Sequence, residues 1–391
     1  MYAERYLGVG TRDYSPFSAD LEISDEYHPQ RGAPRFDLPT FRVPYGHGEY
    51  LTNGIDSTLH GIYRDADEFL LPVHPQLLDY PALAYRELLD GLAPGPPIRV
   101  VPSANARTVF VTHVDGGAVP AHFLKLHYPL RLSRFTRRLR RPIIELQLWV
   151  AGELSRVGVP VLPEVAGGVL GTDPDESWGY VVREPGRMAP GEYRVPLFAL
   201  YGRDYHAPDD PPLLEQLVRG SGEDPTGYLC ERLIGPMIRM WLTALAGTGC
   251  ALEPHGQNTL FTFTPGAGRT QVGYRDCEVY VDPVIRAELG LDGPLPRVNI
   301  ISKDIRPPRE QVFSLVYDSF MGHHALAFLA RLAAERLDVP TGALHDYARA
   351  TFAAYRSGPD LLPPTVYYYD GVLRQGGTWR LVDVGRTPDW R

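Results

Sequence analysis

The chain has 391 residues, of which 44% are hydrophobic and 22% charged, and its formal net charge is −8. This length exceeds one ordinary domain of roughly 100–200 residues, so we expect more than one folded lobe. The negative charge argues against general nucleic-acid binding, which depends on neutralising phosphates. No apolar run approaches the roughly 18 residues of a membrane span, and the first residues lack the basic and apolar regions of a signal peptide. Three cysteines at unrelated spacings favour reduced thiols in a cytoplasmic protein.

The sequence divides into three parts by its patterns. Residues 1–66 are rich in Pro, Gly, Tyr and Asp without a sustained period, and we predict an irregular N-terminal segment. Residues 67–190 contain most of the strand-like runs and are predicted to form a strand-rich lobe. Residues 191–391 are predicted to form a helix-rich lobe that closes with a hairpin.

The clearest elements of the first lobe are strands followed by one helix. Two runs within 98–114 and one over 121–128 are enriched in β-branched and aromatic residues, which predicts strands. The apolar periodicity of 141–158 predicts a helix. In the second lobe, apolar residues at steps of four predict a helix over 227–247, bent at Pro236.

The remainder of the second lobe is predicted to be a hairpin followed by helices. Residues 258–263 and 271–276 form the hairpin, 310–357 are mainly helical, and a final hairpin turns at Asp370–Gly371. Because strands and helices do not alternate, this order excludes a doubly wound parallel sheet. The predicted fold class is α+β, with mixed or antiparallel sheets and helical lobes.

Short polar side chains concentrate in the loop over 253–258, which precedes the predicted hairpin. The carboxylates of Glu253 and Asp276 and the amide oxygen of Asn258 are the hard oxygen ligands that Mg²⁺ takes beside nucleotide phosphates. The structural alternative is a solvated turn capped by His255. The neighbouring amides and the return of the hairpin at Asp276 favour a functional loop.

A second feature is Lys125, one of only two lysines among the 39 basic residues. It lies on an apolar strand, where a compact ammonium suits a phosphate. An arginine-dense stretch follows, and a helix over 133–141 would place four guanidinium groups on one face, namely Arg134, Arg137, Arg138 and Arg141. Such a face could bind a polyanion, although an ordinary solvated basic face is the favoured explanation for most of these arginines.

A third feature is the small-residue turn over 102–108. Asn105, Arg107 and Thr108 stand at the entry to a strand, where backbone N–H groups and a hydroxyl could meet phosphate oxygens. The sequence contains no GxxxxGK[ST], GxGxxG, HExxH, GxSxG or CxxC motif. It therefore gives no motif support to P-loop nucleotidases, Rossmann enzymes, zincins or α/β-hydrolases.

Together, seven short segments between about 70 and 330 resemble the NRPS-independent siderophore synthetases of the aerobactin-synthetase type. The segments are LPVHPQ (71–76), ANARTV (104–109), LKLHYPLRLSRFTRRL (124–139), VVREPG (181–186), LEPHGQNTLF (252–261), YRDCE (274–278) and SLVYDSFMGHH (314–324). The resemblance implies an ATP- and Mg²⁺-dependent ligase that adenylates a citrate-like or other small carboxylic acid. The acyl group then passes to an amine or hydroxyl, in siderophore or related natural-product biosynthesis.

The same resemblance implies a hand-like fold of palm, fingers and thumb, with ATP bound in the strand-rich lobe. It implies small-molecule partners, no nucleic acid or membrane, and it leaves a homodimer open. The implied nucleotide-binding residues are Asn105, Arg107, Thr108, Lys125, Gln257 and Asn258. The implied catalytic residues at the acid are Ser133, Arg137 and His255. The implied metal ligands are Glu253, Asn258 and Asp276.

Two other functions remain open on the sequence. An HGQN loop followed by a hairpin and an Asp is similar to the catalytic region of small-molecule kinases, with Lys125 as the phosphate lysine. Against a kinase, no Asp lies in that loop to act as base. A non-catalytic ligand-binding protein is the second alternative. The nucleotide product distinguishes the three functions. A ligase releases AMP and pyrophosphate, a kinase releases ADP, and a binding protein releases neither.

Overall fold

The computed structural model describes residues 1–8, 22–80, 86–132, 135–266, 268–298, 308–356, 361–374, 377–378 and 380–391. The chain divides into two compact units. Unit 1 comprises Met1, Ser18–Gly152 and Leu162–Gly186, and unit 2 comprises Tyr2–Phe17, Glu153–Val161 and Arg187–Arg391.

The strands in chain order are β1 (Phe36–Leu38), β2 (Thr40–Pro44), β3 (Gly48–Thr52), β4 (Glu68–Pro72), β5 (Ala93–Pro94), β6 (Ile98–Pro102), β7 (Thr108–Val114), β8 (Gly117–Leu126), β9 (Tyr128–Leu132), β10 (Phe135–Arg137), β11 (Glu164–Leu170), β12 (Trp178–Arg183), β13 (Tyr193–Pro196), β14 (Cys250–Ala251), β15 (Thr259–Phe263), β16 (Thr270–Tyr274), β17 (Tyr280–Val281), β18 (Tyr367–Tyr369) and β19 (Leu381–Asp383).

The α-helices are α1 (Tyr2–Tyr6), α2 (His60–Tyr63), α3 (Pro75–Leu78), α4 (Arg86–Asp90), α5 (Arg141–Arg156), α6 (Phe198–Tyr201), α7 (Leu213–Ser221), α8 (Pro225–Leu229), α9 (Gly235–Thr248), α10 (Pro283–Glu288), α11 (Arg309–Ser314), α12 (Ala327–Arg336), α13 (Thr341–Tyr355) and α14 (Asp370–Leu373). Two π-helical segments, Cys230–Ile234 and Leu315–Leu326, continue α8 and α11.

Unit 1 is organised around an antiparallel sheet in the order β1-β6-β7-β8-β12-β11-β3. Ile144 and Leu148 of α5 pack on this sheet against Val169 and Val181, and all four are buried. The helix can approach closely because β12 carries Gly179, where an added Cβ would lie 2.4 Å from Cδ1 of Ile144. The sheet and α5 therefore form a rigid base for the polar residues between them.

Unit 2 combines helices with the antiparallel sheet β13-β15-β16. Helix α9 buries an apolar face that includes Met237, Trp241 and Leu245. The π-helical segment Cys230–Ile234 ends just before Pro236, whose missing N–H cannot complete an α-helical turn. The sequence predicted a bend at Pro236, and the structure has one wide helical turn just before it.

Most of the predicted elements are confirmed, including β6, β7, α5, the β15–β16 hairpin and the helices after 309. The antiparallel sheets and helices confirm the α+β class. No helix among the described residues is both long enough and apolar enough to cross a bilayer.

Three predictions differ from the structure. Part of the segment 1–66, predicted to be irregular, forms β1, β2 and β3, because these short strands pair with partners outside the segment. The helix over 133–141 is wrong: Phe135–Arg137 pairs with β9, and the helix begins only at Arg141. The final hairpin exists as β18 and β19, but Asp370–Gly371 opens α14 instead of forming a tight turn.

Candidate functional site

The predicted phosphate turn lies between β6 and β7 in unit 1. The N–H of Thr108 donates to the carbonyl of Asn105 at 2.9 Å, and the N–H of Arg107 donates to the side-chain oxygen of Asn105 at 3.3 Å. Ser103 adds a hydrogen bond from its hydroxyl to the carbonyl of Thr108 at 2.6 Å. Asn105 therefore shapes the turn with its own side chain, as asparagine often does.

Lys125 is almost fully buried, with 1% of its surface exposed, near the end of β8. The antiparallel register places it directly opposite Thr108, and the N–H of Leu126 donates to the carbonyl of Arg107 at 2.8 Å. The structure thus places Thr108 and Lys125 opposite each other on neighbouring strands, with the buried Arg107 directly before Thr108 in the chain. Burying these polar side chains on an otherwise apolar sheet is costly unless they have partners.

The ammonium of Lys125 donates a 3.1 Å hydrogen bond to Oε1 of Gln147 on α5. Gln147 is itself fully buried, and its Nε2 has no hydrogen-bond partner among the described residues. The sequence did not predict a role for Gln147, because a single polar residue within LQLW does not indicate a functional site. Its burial beside Lys125 makes it a candidate site residue.

The arginine-dense stretch offers fewer guanidinium groups to a polyanion than its sequence indicates. Arg141 makes ion pairs with Glu145 at 2.7 Å and Glu49 at 2.6 Å, and Arg140 lies 3.7 Å from Glu176. These contacts agree with an ordinary charged surface. Arg137 is the last residue of β10, a strand of which the structure describes only the backbone. Ser133 lies outside the described residues.

In unit 2, the loop Glu253–Asn258 is a compact turn between β14 and β15. The N–H of His255 donates to the carbonyl of Glu253 at 2.9 Å, and the N–H of Asn258 donates to the carbonyl of His255 at 3.0 Å. Nδ1 of His255 accepts the N–H of Gln257 at 3.2 Å, so the neutral imidazole carries its proton on Nε2. Gly256 is required, because an added Cβ would lie 2.0 Å from the hydroxyl oxygen of Tyr201.

Two of the predicted metal ligands, Glu253 and Asp276, lie near the buried hydroxyl of Tyr274. This hydroxyl accepts the N–H of Glu253 at 3.1 Å, and the amide nitrogen of Asn258 donates to the carbonyl of Glu253 at 3.3 Å. Burial raises the pKa of Tyr274 well above its ordinary value, and the negative charges of Glu253 and Asp276 raise it further. Both carboxylates therefore lie near this tyrosine, on residues that remain partly exposed.

This donor set fits Mg²⁺ in its chemistry, since it offers two carboxylates and an amide oxygen. Within the described ranges, no three His, Cys, Asp or Glu side chains group as a metal centre. The predicted set includes Asn258, whose amide is not among those four residue types. Glu253, Asn258 and Asp276 remain a prediction as ligands.

The π-helical segment Leu315–Leu326 closes the other side of the unit 2 loop. The rings of Phe320 and His255 pack edge to face, with their centroids 5.8 Å apart. The N–H of Gly256 donates to the carbonyl of His324 at 3.3 Å. Nε2 of His324 is 2.5 Å from the hydroxyl of Tyr368. Burial lowers the pKa of His324 well below its ordinary value, and the charges of the nearby histidines lower it further. The ring of His324 therefore stays neutral.

A cavity of about 300 Å³ lies beside this π-helical segment, with Tyr368 and Trp390 among its walls. Asp318, also in its lining, is bound by Arg391 through Nε at 2.8 Å and Nη2 at 2.9 Å. Long π-helical stretches are rare and frequently mark functional sites. The periodicity of the sequence predicted a helix here but could not distinguish its π-helical form.

Comparison with solved structures shows the fold. Aerobactin synthetase IucC from a hypervirulent pathotype of Klebsiella pneumoniae is 18% identical, with a TM-score of 0.63, and the match covers 86% of this chain and 66% of that one. ATP-bound aerobactin synthetase IucA from the same pathotype is 15% identical, with a TM-score of 0.64, covering 86% and 65%. Petrobactin biosynthesis protein AsbB from Bacillus anthracis str. Sterne is 14% identical, with a TM-score of 0.67, covering 89% and 67%.

The chain thus spans about two thirds of the length of these three proteins. Residues 227–363 also match the family model described as a ferric iron reductase FhuF-like transporter. No curated protein matches the chain. The resemblance named from the sequence is confirmed at the level of the fold.

Proposed function

We propose that the chain is an ATP-dependent ligase that activates a small carboxylic acid as an acyl-adenylate. The observation that carries this proposal is the burial of Lys125 opposite Thr108 on adjacent strands, with Arg107 also buried directly before Thr108. A buried ammonium and guanidinium with a hydroxyl beside them suit the oxygens of a polyphosphate. The synthetase fold, and an ATP-bound relative among the similar structures, support the same assignment.

In the proposed reaction, a carboxylate oxygen of the acid attacks the α-phosphorus of ATP and pyrophosphate leaves. An amine or hydroxyl then attacks the acyl carbon and loses a proton to water, and AMP leaves with the electron pair of the broken bond. Arg107, Thr108 and Lys125 would hold phosphate oxygens, as would the amides of Gln257 and Asn258. Fixed positive groups of this kind stabilise the charge that develops in transfer at phosphorus.

The unit 2 loop would serve the metal and the acid. Glu253, Asn258 and Asp276 would hold Mg²⁺, which when bound neutralises phosphate charge. His255 would orient the acid through Nε2–H, because its Nδ1 already accepts a hydrogen bond within the loop. Arg137 would bind the carboxylate of the acid, with Ser133 close to it.

The name of the family model matching 227–363 raises iron reduction as another function. The three cysteines of the chain fall within that range and are all buried. Burial raises the pKa of the thiols of Cys230 and Cys250 to about 11 each, so both remain protonated at neutral pH. The ligase activity is the function proposed, because the solved structures similar to this chain include aerobactin synthetases.

The test is the nucleotide product formed with a panel of di- and tricarboxylic acids. We expect acid-dependent exchange of labelled pyrophosphate into ATP, and AMP as the product once an amine is added. ADP as the sole nucleotide product would instead establish a phosphotransferase. Absence of any product across the panel, with ATP bound in calorimetry, would indicate a binding protein.

A further inference from the structure

The N-terminal helix α1 makes a buried ion pair with the residue that precedes Asp276. Both guanidinium Nη atoms of Arg275 contact the carboxylate of Glu4, and the distance from Nη2 to Oε2 is 3.1 Å. Glu4 is 7% exposed and Arg275 6%. A bidentate pair fixes the orientation of the guanidinium plane as well as its position.

The other contacts of Arg275 reach the loop that carries His255. Its Nε donates to the carbonyl of Gln257 at 2.8 Å, and its backbone N–H donates to the carbonyl of Asn258 at 2.9 Å. One residue therefore links α1 to two successive residues of the loop. The guanidinium can reach Gln257 in this way only while its orientation is held.

Asp276 follows directly and has a left-handed backbone, with φ of 76°. For a residue other than glycine this conformation is uncommon and persists where its surroundings enforce it. Arg275 is bonded on both its backbone and its side chain to the adjacent loop. It thereby fixes Asn258 and Asp276, two of the proposed metal ligands, relative to each other.

Helix α1 is itself tied to unit 2 by other contacts. The N–H of Gly8 donates to the carbonyl of Arg203 at 3.0 Å, and the hydroxyl of Tyr2 donates to Asp204 at 2.8 Å. Gly8 and Gly202 approach so closely that a Cβ on Gly202 would lie 2.6 Å from the Cα of Gly8. A helix of five residues has little stability of its own, so these contacts hold Glu4 in place.

We propose that Glu4 is a positioning residue for the Mg²⁺ site and that it acts through Arg275. This inference rests on the proposed function and gives α1 a part in it. Without the carboxylate, the buried guanidinium loses its counter-ion and its fixed orientation. The carbonyl of Gln257 then loses its donor, and the spacing of Asn258 and Asp276 is no longer fixed.

The experiment compares Glu4→Gln with a matched control, Glu153→Gln. Glu153 also pairs with a buried arginine of unit 2: Nη1 of Arg286 donates to Glu153 at 2.7 Å and to the carbonyl of Thr248 at 2.8 Å. In acid-dependent pyrophosphate exchange, we expect Glu4→Gln to raise the half-saturating Mg²⁺ concentration at least ~10-fold, as loss of an outer-shell partner does. The rate at saturating Mg²⁺ should change far less. Glu4→Asp should fall between Glu4→Gln and the wild type.

Hydrogen exchange supplies a second readout that is independent of turnover. In Glu4→Gln, the amides of Asn258 and Arg275 should exchange faster, while Glu153→Gln leaves them unchanged. An unaltered Mg²⁺ requirement in Glu4→Gln, or an equal rise in Glu153→Gln, would overturn the inference. If the wild type shows no nucleotide turnover, the proposed function fails. Hydrogen exchange still tests the role of Glu4 in that case, because unchanged protection in Glu4→Gln would show that Glu4 does not order the loop.

Discussion

The ammonium of Lys125 and the amide oxygen of Gln147 form a 3.1 Å hydrogen bond inside unit 1, between a central strand of the sheet and the helix packed on it. Neither residue is more than 1% exposed. An ammonium in such a position needs acceptors on every side that water does not reach. Gln147 supplies one of them and adds no negative charge of its own.

Lys125→Ala should reduce ATP use far more than Lys303→Ala, the substitution of the only other lysine in the sequence. Loss of a buried phosphate contact is expected to cost on the order of 10²–10³ in rate. Lys303 lies outside the described residues, and its position beside Arg306 and Arg309 in a Pro-rich stretch predicts a residue at the surface or, at most, one that binds acid. Steady-state kinetics with ATP as the varied substrate measure both effects. Small, equal effects would remove Lys125 from the phosphate site.

Two substitutions at Gln147 test separately whether this residue positions Lys125 and whether the charge of Lys125 contributes to ATP binding. Gln147→Leu removes an acceptor from a buried ammonium and should lower the free energy of unfolding by about 1–3 kcal/mol, together with ATP affinity. Gln147→Glu places a carboxylate beside Lys125, which should retain stability but still weaken ATP binding, because the carboxylate competes with phosphate for the ammonium.

Calorimetry of ATP binding and urea unfolding of both Gln147 variants measure this difference. Gln76→Leu serves as the control, since Gln76 also accepts a hydrogen bond in unit 1, from the N–H of Ser24 at 2.9 Å. ATP affinity equal to that of the wild type in Gln147→Glu would contradict the proposed role of the Lys125 charge.

His74 should make folding sensitive to acid. Its ring is fully buried against Tyr27, Phe36 and Tyr128, and neither ring nitrogen has a hydrogen-bond partner among the described residues. Burial lowers its pKa to about 3. The unfolded chain therefore takes up a proton below its ordinary pKa of about 6.5, whereas the folded chain does not. The stability associated with this ring is fully present above pH 6.5 and decreases as pH falls towards 3.

His74→Leu should therefore reduce the loss of stability between pH 6 and pH 4 by about 1.4 kcal/mol per pH unit. Urea unfolding at three pH values measures the slope. The control is His47→Leu, because His47 is exposed in the turn after β2. An unchanged slope in His74→Leu would show that this ring is not the source of acid sensitivity. His122 and His127, whose pKa values burial lowers to about 4 each, should retain part of the slope.

The sequence predicted the elements with long, uniform patterns and missed those defined by distant partners. Helix α5 and the β15–β16 hairpin carry their own periodicity, whereas β1 to β3 are runs of three to five residues interrupted by Pro and Gly. Their strand conformation comes from pairing with β6, β4 and β11. Local patterns cannot report such pairing.

The same distinction holds for the candidate site. Lys125 was visible because an ammonium on an apolar strand is anomalous in itself. Gln147 and Glu4 were not, since each acquires its importance from one partner, 22 residues away for Gln147 and 271 for Glu4. Residues that act through a neighbour are seen only once the fold places that neighbour beside them.

The last prediction concerns the acid. Arg137 would supply a permanent charge and bidentate geometry to the carboxylate that attacks phosphorus, and His255 would donate from Nε2. Neither role requires contact with the nucleotide. Arg137→Ala and His255→Ala should therefore leave the Kd for ATP nearly intact, while kcat/KM for the acid falls at least ~10²-fold, or about 2.7 kcal/mol.

Three controls make the assignment specific. Arg137→Lys should restore activity only in part, because an ammonium cannot reproduce the two-pronged contact of a guanidinium. Arg138→Ala removes the adjacent exposed arginine and should have little effect. Calorimetry of ATP binding, run beside steady-state kinetics, separates the two substrates. Loss of ATP binding in Arg137→Ala, or a kinetic defect in Arg138→Ala instead, would move the acid contact away from Arg137.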